Sequence, residues 1–379
     1  MEVKMKFVHI ADLHLGKVIH QYSLLSIQKQ LLNDLLDYMS QEKIKVLVIA
    51  GDVYDRSIPP QEAVSLLDEF LSRAILDEKI TVFMISGNHD SHERLNFASS
   101  LLKRQGLYIE TKVKEKMTPI IIDNVSFYLL PFFKPTVIKE LYQEDISTYQ
   151  DALQTYLKHQ NIDQSKKNIL ITHQFVGKNS ITSESEMTIS VGGSEIVDVS
   201  LFDDFDYVAL GHLHTPQKVS RETIRYSGSL MRYSFDEVKQ NKSITIVDTN
   251  DFSLSFYSLK PSMDICQYQG TYEECMKEDF IDKKDDLISL QLLDKQIVPH
   301  AIEHLRELYP HLLQISYPYF LQNNQIIKGH ITHVETMEIP ELFHKFYQYV
   351  MNEQLDEELE KIIIEQLDER REEDETITS

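Results

Sequence analysis

Only two cysteines, Cys266 and Cys275, occur in 379 residues, nine positions apart. That spacing is neither a Cys-x-x-Cys pair nor a disulfide framework, so both read as reduced thiols, and a Cys-rich structural zinc site is excluded. Basic residues are scarce as well: 38 Lys and Arg stand against 60 Asp and Glu, a formal net charge of −22. A protein that coats nucleic acid by bulk charge is excluded. No apolar run approaches the ~20 residues of a membrane-spanning helix. The stretch MEVKMKFVHIADLHLG at the N-terminus sets His and Asp where a signal peptide needs an unbroken apolar segment. The chain therefore reads as cytoplasmic, with no membrane partner, and with Met5 as an alternative start because the first strand begins there. No Gly-x-x-x-x-Gly-Lys-Ser/Thr loop occurs, which argues against a nucleotide site of its own. No internal repeat is evident.

What is present is an ordinary globular composition, 42% hydrophobic and 26% charged. The length predicts two or three units. Over the first 175 residues or so, short apolar runs alternate with helical spacing. Lys6–Ala11, Val46–Ala50 and Thr81–Ser86 read as strands; Leu24–Gln41, Glu62–Asp77 and Ser91–Arg104 read as helices. Further strands are predicted at Ile120–Leu130, Ile169–Thr172, Tyr207–Leu210, Ile224–Tyr226, Ser243–Val247 and Leu254–Tyr257. This is an α/β core with a mixed sheet or two sheets. After Pro261 a small β-α-β unit follows, with strands at Leu287–Leu293 and Leu312–Tyr317 around a helix near Pro299–Leu308. We divide the chain into a catalytic domain 1–262, a capping domain 263–335 and a C-terminal helical segment 336–379. In that last segment Leu342, Phe343, Phe346, Tyr347 and Val350 form one helical stripe. Residues 353–375 hold twelve acids and three bases. The stripe fits either a helix docked on its own domain or one offered to a partner.

The chemistry lies in the residues that end the strands. Asp12 and His14 end the first, Asp52 and Asp55 the second, and Asn88, His89 and Asp90 the third. His173 ends a fourth, and His212 and His214 end a fifth. In open α/β sheets that edge is where ligands bind. One histidine after a strand is ordinarily a hydrogen-bonded core or surface residue, and Gly-Asp is commonly a turn. Five strand ends carrying metal-capable side chains are another matter. Two carboxylates, one amide and several imidazoles suit Mn, Fe, Co or Zn better than Mg or Ca. The donors are too many for one ion, so a shared carboxylate between two ions about 3.5–4 Å apart is the economical arrangement, with Asp52 as bridge. His89, one residue past a ligand, is placed to protonate a leaving oxygen, and Asp55 to orient its ring.

Asp12-x-His14, Gly51-Asp52-x-x-Asp55, Gly87-Asn88-His89-Asp90, the lone His173 and Gly211-His212-x-His214, in that order, resemble the calcineurin-like metallophosphoesterase superfamily. The blocks HIADLHLGK, IAGDVYDRSIPP and ALGHLHTPQ narrow the resemblance to the bacterial SbcD family, nuclease subunits of SbcCD DNA repair complexes. The resemblance implies a four-layer α/β/β/α sandwich, a small capping domain and C-terminal helices. It implies one manganese ion held by Asp12, His14, Asp52 and His214, and a second by Asp52, Asn88, His173 and His212. It implies His89 as the catalytic histidine. It also implies a homodimer joined to two SbcC-type ABC ATPases, whose coiled coil is gripped by the C-terminal stripe. The activity implied is an ATP-dependent double-strand 3′→5′ exonuclease and a single-strand and hairpin endonuclease, acting on DNA in repair and recombination. Two positions depart from the family pattern: His92 and Leu230 stand where proline is usual. The rivals are a two-metal phosphoesterase acting on nucleotides or phosphoproteins, and a non-catalytic scaffold subunit. Lys17, Arg56, Arg94, Lys178 and Arg232 are the basic residues near the motifs that could meet a DNA backbone.

Overall fold

Alternation within the strands sets the architecture. In β1 (Lys6–Ile10) Phe7 joins one apolar cluster while Val8 and Ile10 join another. In β2 (Val46–Ala50) the same split puts Val46, Val48 and Ala50 on one face and Leu47 and Ile49 on the other. In β3 (Thr81–Ile85) Phe83 and Ile85 oppose Val82 and Met84. Strands apolar on both faces need cover on both, as parallel sheets do. α1 (Leu25–Gln41) covers one side of this first sheet with Ile27, Leu31, Leu35 and Met39, and α2 (Gln61–Ser72) adds Ala63, Leu66, Leu67 and Phe70.

The structure is a computed structural model that describes residues 5–177, 180–183, 186, 195–319, 344 and 347. They fall into two compact units: one runs through Leu292 and resumes at Val298–Ser316, and the other comprises Leu293–Ile297 and the segment from Tyr317 onward. β4 (Leu107–Glu110) extends the first sheet parallel to β3. The chain then builds a second sheet from β5 (Ile120–Ile122), β6 (Val125–Leu130), β7 (Lys167–His173), β8 (Tyr207–Gly211), β9 (Gln217–Val219) and β10 (Arg221–Tyr226), in the order β9-β10-β8-β7-β6-β5. β6, β7, β8 and β10 run parallel. β11 (Ile244–Asp248) and β12 (Leu254–Tyr257) return to the first sheet, giving the order β12-β11-β1-β2-β3-β4. α3 (Pro135–Tyr142) and α4 (Tyr149–Lys158) cover the outer face of the second sheet with Ile138, Leu153 and Tyr156. Between the sheets, Phe127 stacks on Phe83 at 4.5 Å and meets Phe7 edge-on at 5.8 Å, while Tyr207 meets Phe7 at 5.5 Å. This is the four-layer α/β/β/α sandwich.

Several elements differ from expectation. The strand predicted over Ile120–Leu130 is a hairpin, β5 and β6, because Asp123 and Asn124 take left-handed φ of 45° and 64° and close a two-residue turn. The helix predicted over Ser91–Arg104 is two single turns, His92–Leu95 and Ser99–Leu102, broken at Ala98, whose φ is 57°. The Ser99 hydroxyl donates to Asn96 Oδ1 across that break, a local bond that competes with the helix. α3 and α4 lie in a stretch given no elements from the sequence. The helix predicted over Glu62–Asp77 ends its regular part at Ser72 and closes with a wider turn over Arg73–Asp77.

The segment after Pro261 gains a third strand: β13 (Ile265–Gly270), β14 (Leu287–Leu292) and β15 (Leu312–Ser316) form a parallel sheet with α5 (Tyr272–Cys275) and α6 (Ala301–Leu308). A capping box starts α5, with Thr271 and Glu274 each bonding the other's main chain. Ile265 and Leu287 belong to the same cluster as the α1 side of the first sheet. Arg232 bridges to Asp264 at 2.6 Å. Residues 320–335 and the segment 336–379, apart from His344 and Tyr347, lie outside the described residues.

Candidate metal centre

Both sheets present the C-terminal ends of their parallel strands at one place. β1, β2 and β3 deliver Asp12, His14, Asp52, Asn88 and His89; β7 and β8 deliver His173, His212 and His214. The sheets touch closely there. A Cβ built on Gly211 would lie 1.9 Å from the Ala50 carbonyl, and one on Gly87 would lie 2.1 Å from Asp52 Oδ1. Asp12, His14, Asp52 and His212 have φ of 54°, 42°, 49° and 107°. Left-handed backbone at four non-glycine residues is strain concentrated at one spot, a recurrent mark of functional sites. The His212 N–H donates to Asp12 Oδ1 at 3.0 Å, tying the second sheet to the first.

The side chains converge ring nitrogen to ring nitrogen and ring nitrogen to oxygen. His173 Nδ1 lies 2.8 Å from the Ala50 carbonyl, which only accepts, so Nδ1 carries the hydrogen. His173 Nε2 then turns its lone pair toward Asn88 Oδ1 at 3.0 Å and Asp52 Oδ2 at 3.3 Å. His212 Nδ1 approaches the same Asn88 oxygen at 3.2 Å. His14 Nε2 and His214 Nε2 face each other at 3.1 Å, and His14 Nε2 lies 3.7 Å from Asp52 Oδ2. Ring nitrogens and carboxylate oxygens crowded this closely form a donor set suited to a cation. Three overlapping groups have ligand atoms within 4.8 Å of one another: Asp12 with His14 and His214, Asp12 with Asp52 and His173, and His14 with Asp52 and His89. The donor set fits divalent metal.

The electrostatics agree. Burial pushes Asp12 well above the usual carboxylate range, with Asp52 adding to the effect and His173 opposing it. Burial works against ionisation of Asp52 too, but His173 and His14 hold it well below that range. His173, though buried, is pushed up to about 9 by Asp52 and Asp12. Burial lowers His212 to about 3 and His214 to about 4, which favours the neutral form of both rings.

A calcineurin-like phosphoesterase family model matches residues 5–216. A second, described as the type 5 capsule protein repressor C-terminal domain, matches 262–351. The SbcD subunit of the SbcCD nuclease from Staphylococcus saprophyticus is 35% identical over 375 residues, 96% of this chain and 99% of its own. Its counterpart in Staphylococcus epidermidis is 36% identical over 350 residues, 90% of this chain and 93% of its own. The chain belongs to the SbcD family. It is a metal-dependent nuclease of the calcineurin-like phosphoesterase class, and its clustered His and Asp side chains suit divalent metal.

In this SbcD family member the structure corrects one expectation at atomic level. His89 Nδ1 bonds Asp55, but to its main-chain carbonyl at 2.9 Å. The Asp55 carboxylate points elsewhere, to Lys17 Nζ at 3.0 Å and His14 Nδ1 at 3.5 Å. Burial raises and His14 and Lys17 lower its pKa, and the lowering wins. Several supporting residues were not found by sequence reasoning. The Asp90 carboxylate accepts from the N–H groups of Val53, Tyr54 and Gly87, fixing the Asp52 loop against the Asn88 loop. Gln28 on α1 donates to the carbonyls of Leu13 and His14. His92 takes its Nδ1 to the Ser86 hydroxyl at 3.1 Å. Glu237 meets His214 Nδ1 at 3.2 Å. The motif spacing carried no sign of these roles, although Asp90 itself was read as ending the third strand.

Among the described residues no helix is long and apolar enough to cross a membrane.

Proposed function

We propose that this chain cuts DNA as the nuclease of an SbcCD-type assembly, using two manganese ions. What supports the reading is the convergence of ring nitrogens from His14, His173, His212 and His214 on the carboxylates of Asp12 and Asp52 and the amide of Asn88. Asp12, His14, Asp52 and His214 would hold one ion; Asp52, Asn88, His173 and His212 would hold the other. When bound, the ions supply positive charge that polarises a phosphodiester and makes water acidic enough to attack near neutral pH.

The chain's own residues do the rest. Asp52 holds both positions in register, because its Oδ1 accepts the His89 N–H at 2.9 Å while its Oδ2 faces His173. His89 Nδ1 donates to the Asp55 carbonyl, so Nε2 would deliver a proton to the departing oxygen only from the doubly protonated ring, which the transfer leaves neutral with its hydrogen on Nδ1. Asp55 thus orients His89 through its main chain and His14 through its carboxylate. Asn88, His89 and His212 are the more exposed members and form the mouth; Asp12, His14, Asp52, His173 and His214 form the buried floor.

The activity we assign is ATP-dependent 3′→5′ exonuclease on duplex DNA and endonuclease on single strands and hairpins, with ATP bound by an SbcC-type coiled-coil ATPase. The segment 336–379 would grip that partner, 263–335 would cap the site, and two copies of each protein would assemble in the cytoplasm. The test is a DNA hairpin offered with Mn²⁺ or with chelator to the chain plus its ATPase partner, beside p-nitrophenyl phosphate. We expect Mn-dependent hairpin cleavage, lost in Asp52→Asn although that variant still assembles. Phosphatase activity with intact hairpins would overturn the reading in favour of a small-molecule phosphoesterase. Full nuclease activity in Asp52→Asn would make the cluster irrelevant to cleavage.

A further inference from the structure

Glu237 is wholly buried beside the cluster, on the short helical turn Phe235–Lys239. Its carboxylate is densely held. The Tyr233 N–H donates to it at 3.1 Å and the Ser183 hydroxyl at 3.0 Å; the Lys242 ammonium lies 2.7 Å away. It also meets His214 Nδ1, at 3.2 Å. An ammonium, a main-chain N–H and a hydroxyl aimed at one buried group hold it in its ionised form. A carboxylate accepts and does not donate. The hydrogen in the contact with His214 therefore sits on Nδ1, and the lone pair sits on Nε2, the atom that faces His14 Nε2 at 3.1 Å. The main chain of His214 is fixed as well: its N–H donates to Glu186 and its carbonyl accepts from Lys242.

We propose that Glu237 is a positioning residue for His214. It selects the Nδ1–H form of the ring and aims Nε2 into the Asp12–His14–His214 pocket, and so governs one of the two ion positions. The other position is built differently: there the Ala50 carbonyl, a neutral main-chain group, sets the His173 ring. A carboxylate behind a ligand imidazole raises its basicity and metal affinity more than a carbonyl does. The inference rests on the two-ion reading above, and its effect falls on one ion alone.

The test reads the ring before any metal is added. In chelator-treated protein with ¹⁵N-labelled histidine, His214 is expected as the Nδ1–H form, and Glu237→Gln should shift it toward Nε2–H. Mn²⁺ titration of the same samples should give two ions per wild-type chain. In Glu237→Gln one ion should weaken by about 10–100-fold while the other keeps its affinity. Should Glu237→Gln fail to fold because Lys242 is left buried without its partner, the double variant with Lys242→Met removes both charges together. It should show the same one-ion loss. A His214 ring unchanged in the variant, or two ions bound with wild-type affinity, overturns the proposal. Equal weakening of both ions would reduce Glu237 to general support and overturn it too. Wild-type protein that binds fewer than two ions would instead overturn the two-ion reading.

Discussion

His89 and Asp52 are neighbours, joined by a main-chain bond of 2.9 Å, yet they carry different work. Asp52 lies at the buried junction of both proposed ion positions. His89 is half-exposed, and a carbonyl fixes its ring. Removing the His89 side chain leaves the bond from its N–H to Asp52 in place. His89→Ala should therefore keep its metals, by elemental analysis, and lose about 10²–10⁴-fold in turnover on a DNA hairpin. Loss of metal would move His89 among the ligands, beside His14 and Asp52. Gly87→Ala should behave in the opposite way. Its new Cβ would collide with the Asp52 carboxylate at 2.1 Å and the Asp52 nitrogen at 2.4 Å, atoms of a packed turn that cannot yield. We expect metal content to fall together with cleavage, and stability to drop by about 1–3 kcal/mol. At this scale the donors were legible because each one ends an apolar strand. Asp90, Gln28 and Glu237 were not, because their roles depend on which loops meet in space, and no spacing rule carries that.

Among elements, the strands were readable because both faces of β1, β2 and β3 are buried, which writes them as unbroken apolar runs. α3 and α4 were overlooked although their start signals are present: Pro135 in the first turn of α3, and Thr148 before α4. Those signals have energetic content. The Thr148 hydroxyl accepts the Asp151 N–H at 3.0 Å and so satisfies one of the unpaired donors at the start of α4. Thr148→Ala should lower stability by about 1 kcal/mol, read as a reduced urea midpoint, and Thr148→Ser should restore most of it. An unchanged midpoint in the alanine variant would mean that the packing of Leu153 and Tyr156, not the cap, sets the stability of this helix. The hairpin at Asp123 and Asn124 was missed for a different reason. Ile120–Ile122 and Val125–Leu130 read as one apolar strand, and only the left-handed tolerance of Asp and Asn marks the turn between them.

For the whole molecule the governing fact is a charge of −22 on a protein assigned to DNA. The basic residues near the motifs do little to offset it. Lys17 is bound to Asp55 at 3.0 Å and Arg232 to Asp264 at 2.6 Å. Arg56 is exposed, with Asp55 at 3.8 Å, and Lys178 lies outside the described residues. Residues 353–375, which hold nine of the excess negative charges, lie outside them too. Arg56, Arg94 and the two proposed ions leave room for about four neutralised phosphates, which sets a salt slope of about −3.6. Raising monovalent salt fourfold, from about 50 to about 200 mM, should then weaken duplex binding by about 150-fold. The isolated chain should bind at the level of non-specific contacts, with Kd of roughly 10⁻⁴–10⁻⁶ M at physiological salt. Fluorescence anisotropy of a labelled duplex with Mn²⁺ and the His89→Ala chain measures this without cleavage. Adding the ATPase partner should raise affinity, since the lone chain offers few unpaired cations. Tight binding by the lone chain that hardly changes with salt would place a strong DNA surface on the nuclease itself. The division of labour between nuclease and ATPase would then have to be redrawn.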